Sequence, residues 1–162
     1  MFANQIGYYS LILGLMFSFL LCIVSIKDFN INSKQINQNI LSLSFIQVVL
    51  VIISFLSLIL SFVNSDFSNE TVFNNSHTTK PLFYKISGTW GNHEGSLLLW
   101  LLVLDTFLFI FFITSKNLIN RYRLLTVLFQ QLIIFGFLLF ILFTSNPFLN
   151  LFPVPKEGTG LN

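Results

Sequence analysis

Four long apolar runs separated by polar segments organise this chain. The runs cover about residues 6–26, 40–63, 97–113 and 124–143, and the only acidic or basic side chain in them is Asp105. A bilayer core about 30 Å thick needs roughly 20 apolar residues at about 1.5 Å each. The pattern predicts an all-α integral membrane protein: a single membrane domain over residues 1–162, with about four transmembrane helices, a polar loop 64–96 between helices 2 and 3, and a tail 144–162.

The polar segments carry the charge that orients a membrane protein. We expect the first run to stay in the mature protein, because residues 1–7 lack Lys and Arg and no small-residue cleavage site follows. The loops on one side hold Lys27, Lys34, Lys116, Arg121 and Arg123, whereas the other side holds Lys80, Lys85 and Lys156. The positive-inside rule places the richer side in the cytoplasm or mitochondrial matrix, and both termini and loop 64–96 opposite, in the intermembrane space or periplasm.

Composition excludes several classes of protein. The chain is 54% hydrophobic and 9% charged, whereas a soluble domain carries about 25% charged residues. Its net charge of +2 and scattered basic residues exclude nucleic acid as a partner. The single cysteine, Cys22, forms no disulfide within the chain and implies no metal site. Lipid is therefore the expected solvent for most of the surface.

The loop between helices 2 and 3 divides into two parts of different character. Residues 64–79 are rich in Asn, Ser and Thr, which predicts a solvated, mobile segment. Residues 88–96 contain three glycines, Gly88, Gly91 and Gly95, which permit tight backbone geometry at the membrane boundary. Trp90 lies within this stretch and Trp100 follows it, and both are suited to anchoring in the interface.

The residues that begin the third run carry the candidate chemistry. Glu94 lies where the positive end of a helix dipole favours a carboxylate, and Asn92 or Ser96 is expected to cap that helix. His93 has two interpretations: a hydrogen-bonded residue that fixes the loop, or a contact or ligand to haem iron, since imidazole ligates haem. Asp105 is expected to face protein, as a polar tie to a neighbouring helix or as a neutral acid, because a charge in lipid is costly.

A resemblance to a known family rests on three segments. Residues 89–100, Thr89-Trp90-Gly91-Asn92-His93-Glu94-Gly95-Ser96-Leu97-Leu98-Leu99-Trp100, resemble the motif after the second span of the CcmF family of cytochrome c maturation proteins. Residues 138–148, Leu138 to Phe148, give a second match. Residues 155–158, Pro155-Lys156-Glu157-Gly158, followed by Leu161-Asn162, give a third. The order and spacing of the segments are similar to those of the family's N-terminal quarter.

The resemblance implies a function in system I cytochrome c maturation. The family's haem lyase takes haem b from the membrane-tethered chaperone CcmE and promotes its thioether attachment to apocytochrome c, which thiol-handling factors prepare. The family's haem platform is a Trp-rich segment flanked by histidine ligands. This chain has two tryptophans and no histidine after His93, so the assembled complex is expected to handle haem, and this fragment alone to bind none and not to be catalytic.

The missing platform predicts an N-terminal fragment of a split haem lyase in the mitochondrial inner membrane, or in a bacterial inner membrane as the alternative. The remaining CcmF fragments would be its partners. Trp90, Gly91, His93, Glu94, Gly95, Ser96 and Trp100 are then assigned structural or docking roles, with no catalytic residue and no metal ligand. Two rival hypotheses are a related haem lyase for another c-type cytochrome and a structural membrane subunit of a respiratory-chain complex.

Overall fold

Helices account for the described secondary structure. The structure is a computed structural model that describes residues 2–28 and 34–160. The helices are α1 (Phe2–Asp28), α2 (Lys34–Val63), α3 (Glu70–Asn75), α4 (Leu82–Gly88), α5 (His93–Thr114) and α6 (Asn120–Thr144), with a 3₁₀ turn at Ser115–Asn117. Four of them, α1, α2, α5 and α6, are long and apolar enough to cross a membrane. The predicted all-α membrane fold is confirmed.

The helices extend beyond the predicted apolar runs at their polar ends. The third run was expected to start at residue 97, but α5 begins at His93. The stretch from residue 88 to residue 96 is therefore divided between the end of α4, a turn and the first turn of α5. The last two residues of the predicted tail, 161 and 162, lie outside the described residues.

The four long helices form a bundle in which α1 packs on α2 and α6, and α5 also packs on α2 and α6. Successive long helices run in opposite directions, so residues 64–92 and 145–160 meet at one end of the bundle, which we call the cap. The 3₁₀ turn and the start of α6 lie at the opposite end. We call that end the basic end, because Lys27, Lys116, Arg121 and Arg123 lie there.

Small and polar side chains form the contact faces of the long helices. In α1 the buried positions recur every three or four residues: Asn4, Gly7, Leu11, Gly14, Ser18, Leu21 and Ser25. In α2 the corresponding series is Ile40, Ser44, Gln47, Val51, Ser54, Leu58 and Ser61. This spacing follows the 3.5-residue repeat of packed helices, and small residues let membrane helices approach closely. Other phenylalanines point outward: Phe107, Phe129 and Phe143 are 65%, 63% and 82% exposed, as lipid-facing residues would be.

A polar tie crosses the bundle near its middle. The fully buried Gln131 accepts hydrogen bonds at Oε1 from Ser18 Oγ (3.0 Å) and from Gln47 Nε2 (3.4 Å). This side chain therefore links α6 to both α1 and α2. In an apolar medium such a bond has no water to compete with it, although measured values average only about 0.6 kcal/mol.

Asp105 faces protein, as predicted, and it does so inside this bundle. Its side chain is 1% exposed, and neither carboxylate oxygen has a hydrogen-bond partner among the residues described. No polar tie from Asp105 to a neighbouring helix is therefore formed within the described part of this chain. Asp105 lies three helical turns beyond His93, the first residue of α5, which corresponds to a depth of about 18 Å along that helix.

The cap corrects one prediction about the loop. The prediction of a solvated segment is wrong for residues 68–76, where Ser68, Asn69, Thr71, Val72 and Ser76 are buried. The tail covers this segment. Leu151 N–H donates to the Ser68 carbonyl (2.8 Å), and Thr159 N–H donates to the Phe73 carbonyl (2.9 Å). The residues that follow α6 thus supply hydrogen-bond partners for the backbone of this segment and for the Asn69 side chain, which donates to the Pro147 carbonyl (2.8 Å).

Candidate functional site in the cap

The turn between α4 and α5 is held by one asparagine. Asn92 Oδ1 accepts from the Gly95 N–H (2.7 Å), which caps the start of α5. Its Nδ2 donates to the carbonyls of Gly88 (2.8 Å) and Thr89 (3.2 Å) at the end of α4. Of the two predicted capping residues, Asn92 is the one that caps, while Ser96 Oγ donates to the His93 carbonyl within the same helix (2.9 Å).

The two glycines that follow the tryptophan differ in what they permit. A Cβ built on Gly95 would lie 1.6 Å from the carbonyl oxygen of Thr89, so the chain before α5 passes directly against this residue. A Cβ on Gly91 would meet the Ser87 carbonyl oxygen at 3.4 Å, an ordinary contact. Gly95 is therefore required by close backbone packing, whereas Gly91 has room for a methyl group.

His93 joins the start of α5 to the end of α6. Its Nδ1 lies 2.8 Å from Ser145 Oγ, in a hydrogen bond whose direction follows the imidazole tautomer. The second ring nitrogen has no hydrogen-bond partner within the described part of the chain. The loop-fixing interpretation of His93 expects such a contact, and the role of this residue stays a prediction. The contact also brings the segment 89–100 against the segment 138–148, which are far apart along the chain.

Beside this contact lies a polar cleft of about 350 Å³, which we call the motif cleft. It is lined by Glu70, Thr71, Asn74, Asn75, Asn92, His93, Glu94, Thr144, Ser145, Asn146 and Leu149. Two of the predicted site residues, His93 and Glu94, therefore lie together in it. The lining includes two carboxylates and no lysine or arginine, so the cleft suits a partner that brings hydrogen-bond donors or positive charge.

The other predicted site residues lie outside the motif cleft. Trp90 is 41% exposed on the turn before α5, and Trp100 is 61% exposed two helical turns further along α5. Gly91 lines a second cap cavity of about 350 Å³ together with Gly88 and Gly160. Gly95 and Ser96 shape the helix start. The predicted residues therefore fall into three groups: those that line the motif cleft, the exposed tryptophans, and those that determine the backbone conformation around the start of α5.

Sequence analysis missed the asparagine that holds the cap together. The fully buried Asn69 donates through Nδ2 to Asn4 Oδ1 and to the Pro147 carbonyl (2.8 Å), and accepts the Val72 N–H at Oδ1 (3.1 Å). Asn4 in turn donates to the Phe148 carbonyl (3.1 Å). The loop, the start of α1 and the end of segment 138–148 meet here. Asn69 is one of many asparagines in residues 64–79, so composition gave no signal that set it apart.

No cluster suited to a metal ion occurs in residues 2–28 and 34–160, taking three or more His, Cys, Asp or Glu side chains as the minimum. His93 is bonded to a serine, and Cys22 is buried in α1.

The His93–Ser145 bond gives a testable coupling between the two segments. Replacing His93 with Phe keeps the ring but removes the bond, and we expect a loss of about 1 kcal/mol in the free energy of unfolding. Ser145→Ala should cost a similar amount, and the double variant should cost less than the sum. Denaturant titration in detergent micelles measures all three. Strictly additive losses would show that the two side chains do not interact.

Glu157 fastens the tail to the loop in a pH-dependent way. Its carboxylate accepts from Thr78 Oγ1 (2.7 Å) and from the Thr78 N–H (3.0 Å), and His77 Nε2 lies 3.7 Å away. These hydrogen bonds from Thr78, with smaller contributions from Gly158 N–H and His77, lower the pKa of Glu157 below its usual value of 4.5. Because the folded-state pKa is lowered, the stabilisation is present above pH 4.5 and is lost as the pH falls through the lowered value.

We therefore expect the wild-type chain to be more stable than the Glu157→Gln variant at neutral pH. The difference in stability should vanish at pH values below the lowered pKa of Glu157. Thermal unfolding midpoints of both proteins across the acidic range measure this. A difference that persists unchanged in strong acid would contradict the role of the ionised carboxylate.

Comparisons with known proteins identify relatives of this chain by sequence. No family model matches the chain. It is 37% identical over 158 residues to cytochrome c-type biogenesis protein CycK of Rhizobium meliloti, and this match covers 98% of this chain and 23% of that protein. It is 36% identical over 159 residues to cytochrome c-type biogenesis protein CcmF of Haemophilus influenzae, which covers 98% of this chain and 24% of that protein.

A solved structure shares the fold. The structure of "Cytochrome c Heme Lyase CcmF" superposes with a TM-score of 0.81 and 22% sequence identity, covering 91% of this chain and 25% of that chain. At this identity the match establishes the fold of the bundle and its cap. The shared fold agrees with the membrane helices that the apolar runs predict.

The fold and the cap define a multi-pass membrane protein with a polar, hydrogen-bonded structure at one end of a four-helix bundle. The sequence matches identify the family. The chain belongs to the family of cytochrome c-type biogenesis proteins that includes CycK and CcmF. It spans about a quarter of the length of these relatives.

Proposed function

We propose that this chain acts in cytochrome c maturation as the N-terminal part of a haem lyase, assisting covalent attachment of haem to apocytochrome c. The names of its relatives support the pathway. The observation that carries the proposal is the convergence of three separate segments on the cap. His93 of the first contacts Ser145 of the second, and Glu157 of the third binds Thr78 of the loop between α2 and α5.

The proposed role is that of a scaffold and docking surface. Haem is an apolar macrocycle, and placing it in the motif cleft would strip water from the side-chain amides and carboxylates that line it. Haem b is therefore the cargo of the assembled lyase and not a ligand of this region alone. Trp90, Gly91, His93, Glu94, Gly95, Ser96 and Trp100 have structural or docking roles in this proposal, and none is catalytic.

The expected partners follow from the resemblance to the CcmF family. They are the regions carrying the Trp-rich haem platform, the haem chaperone CcmE, and apocytochrome c with its thiol-handling factors. Glu70 and Glu94 in the motif cleft favour a partner segment that presents Lys, Arg or amide donors. Lipid surrounds the remaining surface.

The proposed location is the mitochondrial inner membrane, or the inner membrane of a bacterium, with the cap in the intermembrane space or periplasm. The excess of basic residues at the other end supports this orientation. A cysteine introduced at the exposed Asn74 in the cap should then react with a membrane-impermeant maleimide added from that compartment, in a Cys22→Ser background. A cysteine at the exposed Tyr122 should not. The reverse labelling pattern would contradict the proposal.

Photo-cross-linking tests the docking role. A benzophenone amino acid at Asn74, in the motif cleft, should cross-link to the region that carries the Trp-rich platform. The same probe at Tyr122, at the basic end, is the matched control and should give no such product. Equal cross-linking from both positions, or none from Asn74 in an active complex, would contradict docking at the cap.

Haem attachment separates this proposal from a structural role in a respiratory complex. Depletion of the chain should abolish covalent haem on a reporter c-type cytochrome, measured by in-gel peroxidase staining. Normal haem attachment with a disrupted respiratory complex would instead support the respiratory-chain alternative.

A further inference from the structure

A pocket at the basic end combines positive charge with apolar walls. It has a volume of about 210 Å³ and is lined by Gln38, Leu41, Phe112, Ile113, Lys116 and Arg123. These residues come from the start of α2, the end of α5, the turn after it and the start of α6. The pocket therefore opens at a junction of three membrane helices, at the level where the apolar runs end.

Arg123 is held rigidly at this pocket. Its Nε donates to Ser115 Oγ (3.0 Å), and its Nη2 donates to the Phe112 carbonyl (2.9 Å) at the end of α5. Its guanidinium carbon lies 4.5 Å from the centroid of the Phe112 ring. These bonds use only part of the fork of N–H donors that the side chain carries. Arg123 is 8% exposed, so its position is fixed by protein contacts before any ligand arrives.

Lys116 supplies a second positive charge, and its side chain has no hydrogen bond or ion pair to the described residues. It is exposed, and it lines the same pocket as Arg123. The described lining contains no Asp or Glu, so the two charges are not neutralised within it. Gln38 adds an amide that can donate a hydrogen bond.

We propose that this pocket binds the phosphodiester group of an anionic membrane phospholipid. Two cations and an amide match a phosphate, and Leu41, Phe112 and Ile113 match the glycerol and the first methylenes of the acyl chains. A free phosphate would have no use for the apolar walls, which favours a lipid as the source of the charge. Basic pockets between membrane helices are known to bind anionic lipid headgroups.

The proposal is independent of haem attachment and is tested on the full chain purified in neutral detergent. Phosphatidylglycerol should raise the thermal unfolding midpoint in a saturable manner, and phosphatidylcholine should not. In the Lys116→Gln variant the apparent affinity for phosphatidylglycerol should fall about fivefold, the loss expected for one cation near an anionic headgroup. The Ile113→Trp variant, which fills the pocket without changing its charge, should weaken binding further.

Lys27→Gln is the matched control, because Lys27 is an exposed lysine at the same end that does not line the pocket. This variant should bind phosphatidylglycerol as wild type does. Equal weakening by Lys27→Gln and Lys116→Gln would indicate general surface charge and overturn the proposal. Equal stabilisation by both lipids, or displacement of phosphatidylglycerol by millimolar inorganic phosphate, would overturn it as well. Unfolding midpoints without lipid establish that each variant is folded.

Discussion

Replacing Gly95 with alanine is expected to prevent stable folding of the cap, with a loss of about 4 kcal/mol or more in the free energy of unfolding. The added methyl group would lie 1.6 Å from the Thr89 carbonyl oxygen and 2.8 Å from its carbonyl carbon. Both are backbone atoms, so no side-chain rotation relieves the overlap. The turn that Asn92 caps would have to move away from α5. The yield of monodisperse protein in detergent and its thermal midpoint measure the effect.

Two other glycines provide matched controls for this substitution. A methyl group on Gly91 meets only an ordinary contact, so Gly91→Ala should change stability by less than about 1 kcal/mol. Gly136 in α6 has nothing within 4 Å of an added Cβ, and Gly136→Ala should be neutral or stabilising by up to about 1 kcal/mol. If Gly95→Ala behaved like either control, the close approach of Thr89 to α5 would be wrong.

The Asn69→Asp substitution is expected to have the second largest effect, about 3 kcal/mol, although it barely changes the shape of the side chain. The carboxylate would lose both donated hydrogen bonds. It would also place an oxygen against the two acceptors that Nδ2 now satisfies, Asn4 Oδ1 and the Pro147 carbonyl. In a fully buried position no water can replace them. The free energy of unfolding in mildly alkaline buffer measures the loss.

The loss at Asn69 should become smaller in mild acid, because a protonated carboxyl group can donate one of the two bonds. Asn74→Asp is the control. Asn69 caps the start of α3, and Asn74 lies within the same helix but is exposed. That variant should be within about 0.5 kcal/mol of wild type. A similar response of both variants would show that Asn69 does not hold the cap.

The asparagines of residues 64–79 show why composition misled the prediction for this segment. Asn, Ser and Thr in a loop usually face water, and the sequence contained no sign that the tail would return over them. In the folded chain, backbone groups of residues 147–160 supply hydrogen bonds that solvent would otherwise supply. The burial of Asn69 is therefore a property of two distant segments together.

Asp105 shows the same limit inside the membrane. The cost of a charge in lipid predicted correctly that this side chain would face protein. Its surroundings could not be deduced, because they depend on how α5 is rotated against α2 and α6. That neither carboxylate oxygen has a hydrogen-bond partner among the residues that the structure describes became evident only from the packed bundle.

The chain by itself determined the number of membrane helices, their approximate ends and the distribution of charge between the two ends, because lipid requires long uncharged helices wherever the chain crosses it. Its short segments also indicated the family, and Asn92 was one of the two residues expected to cap α5. Tertiary structure alone decided which asparagines are buried, why Gly95 cannot carry a side chain, and that His93 contacts Ser145. The requirement for glycine at position 95 depends on how closely the turn folds back on α5. The burial of the asparagines and the contact of His93 with Ser145 depend on segments far apart along the chain. These distances are set only when the helices pack, so they cannot be deduced from the local sequence.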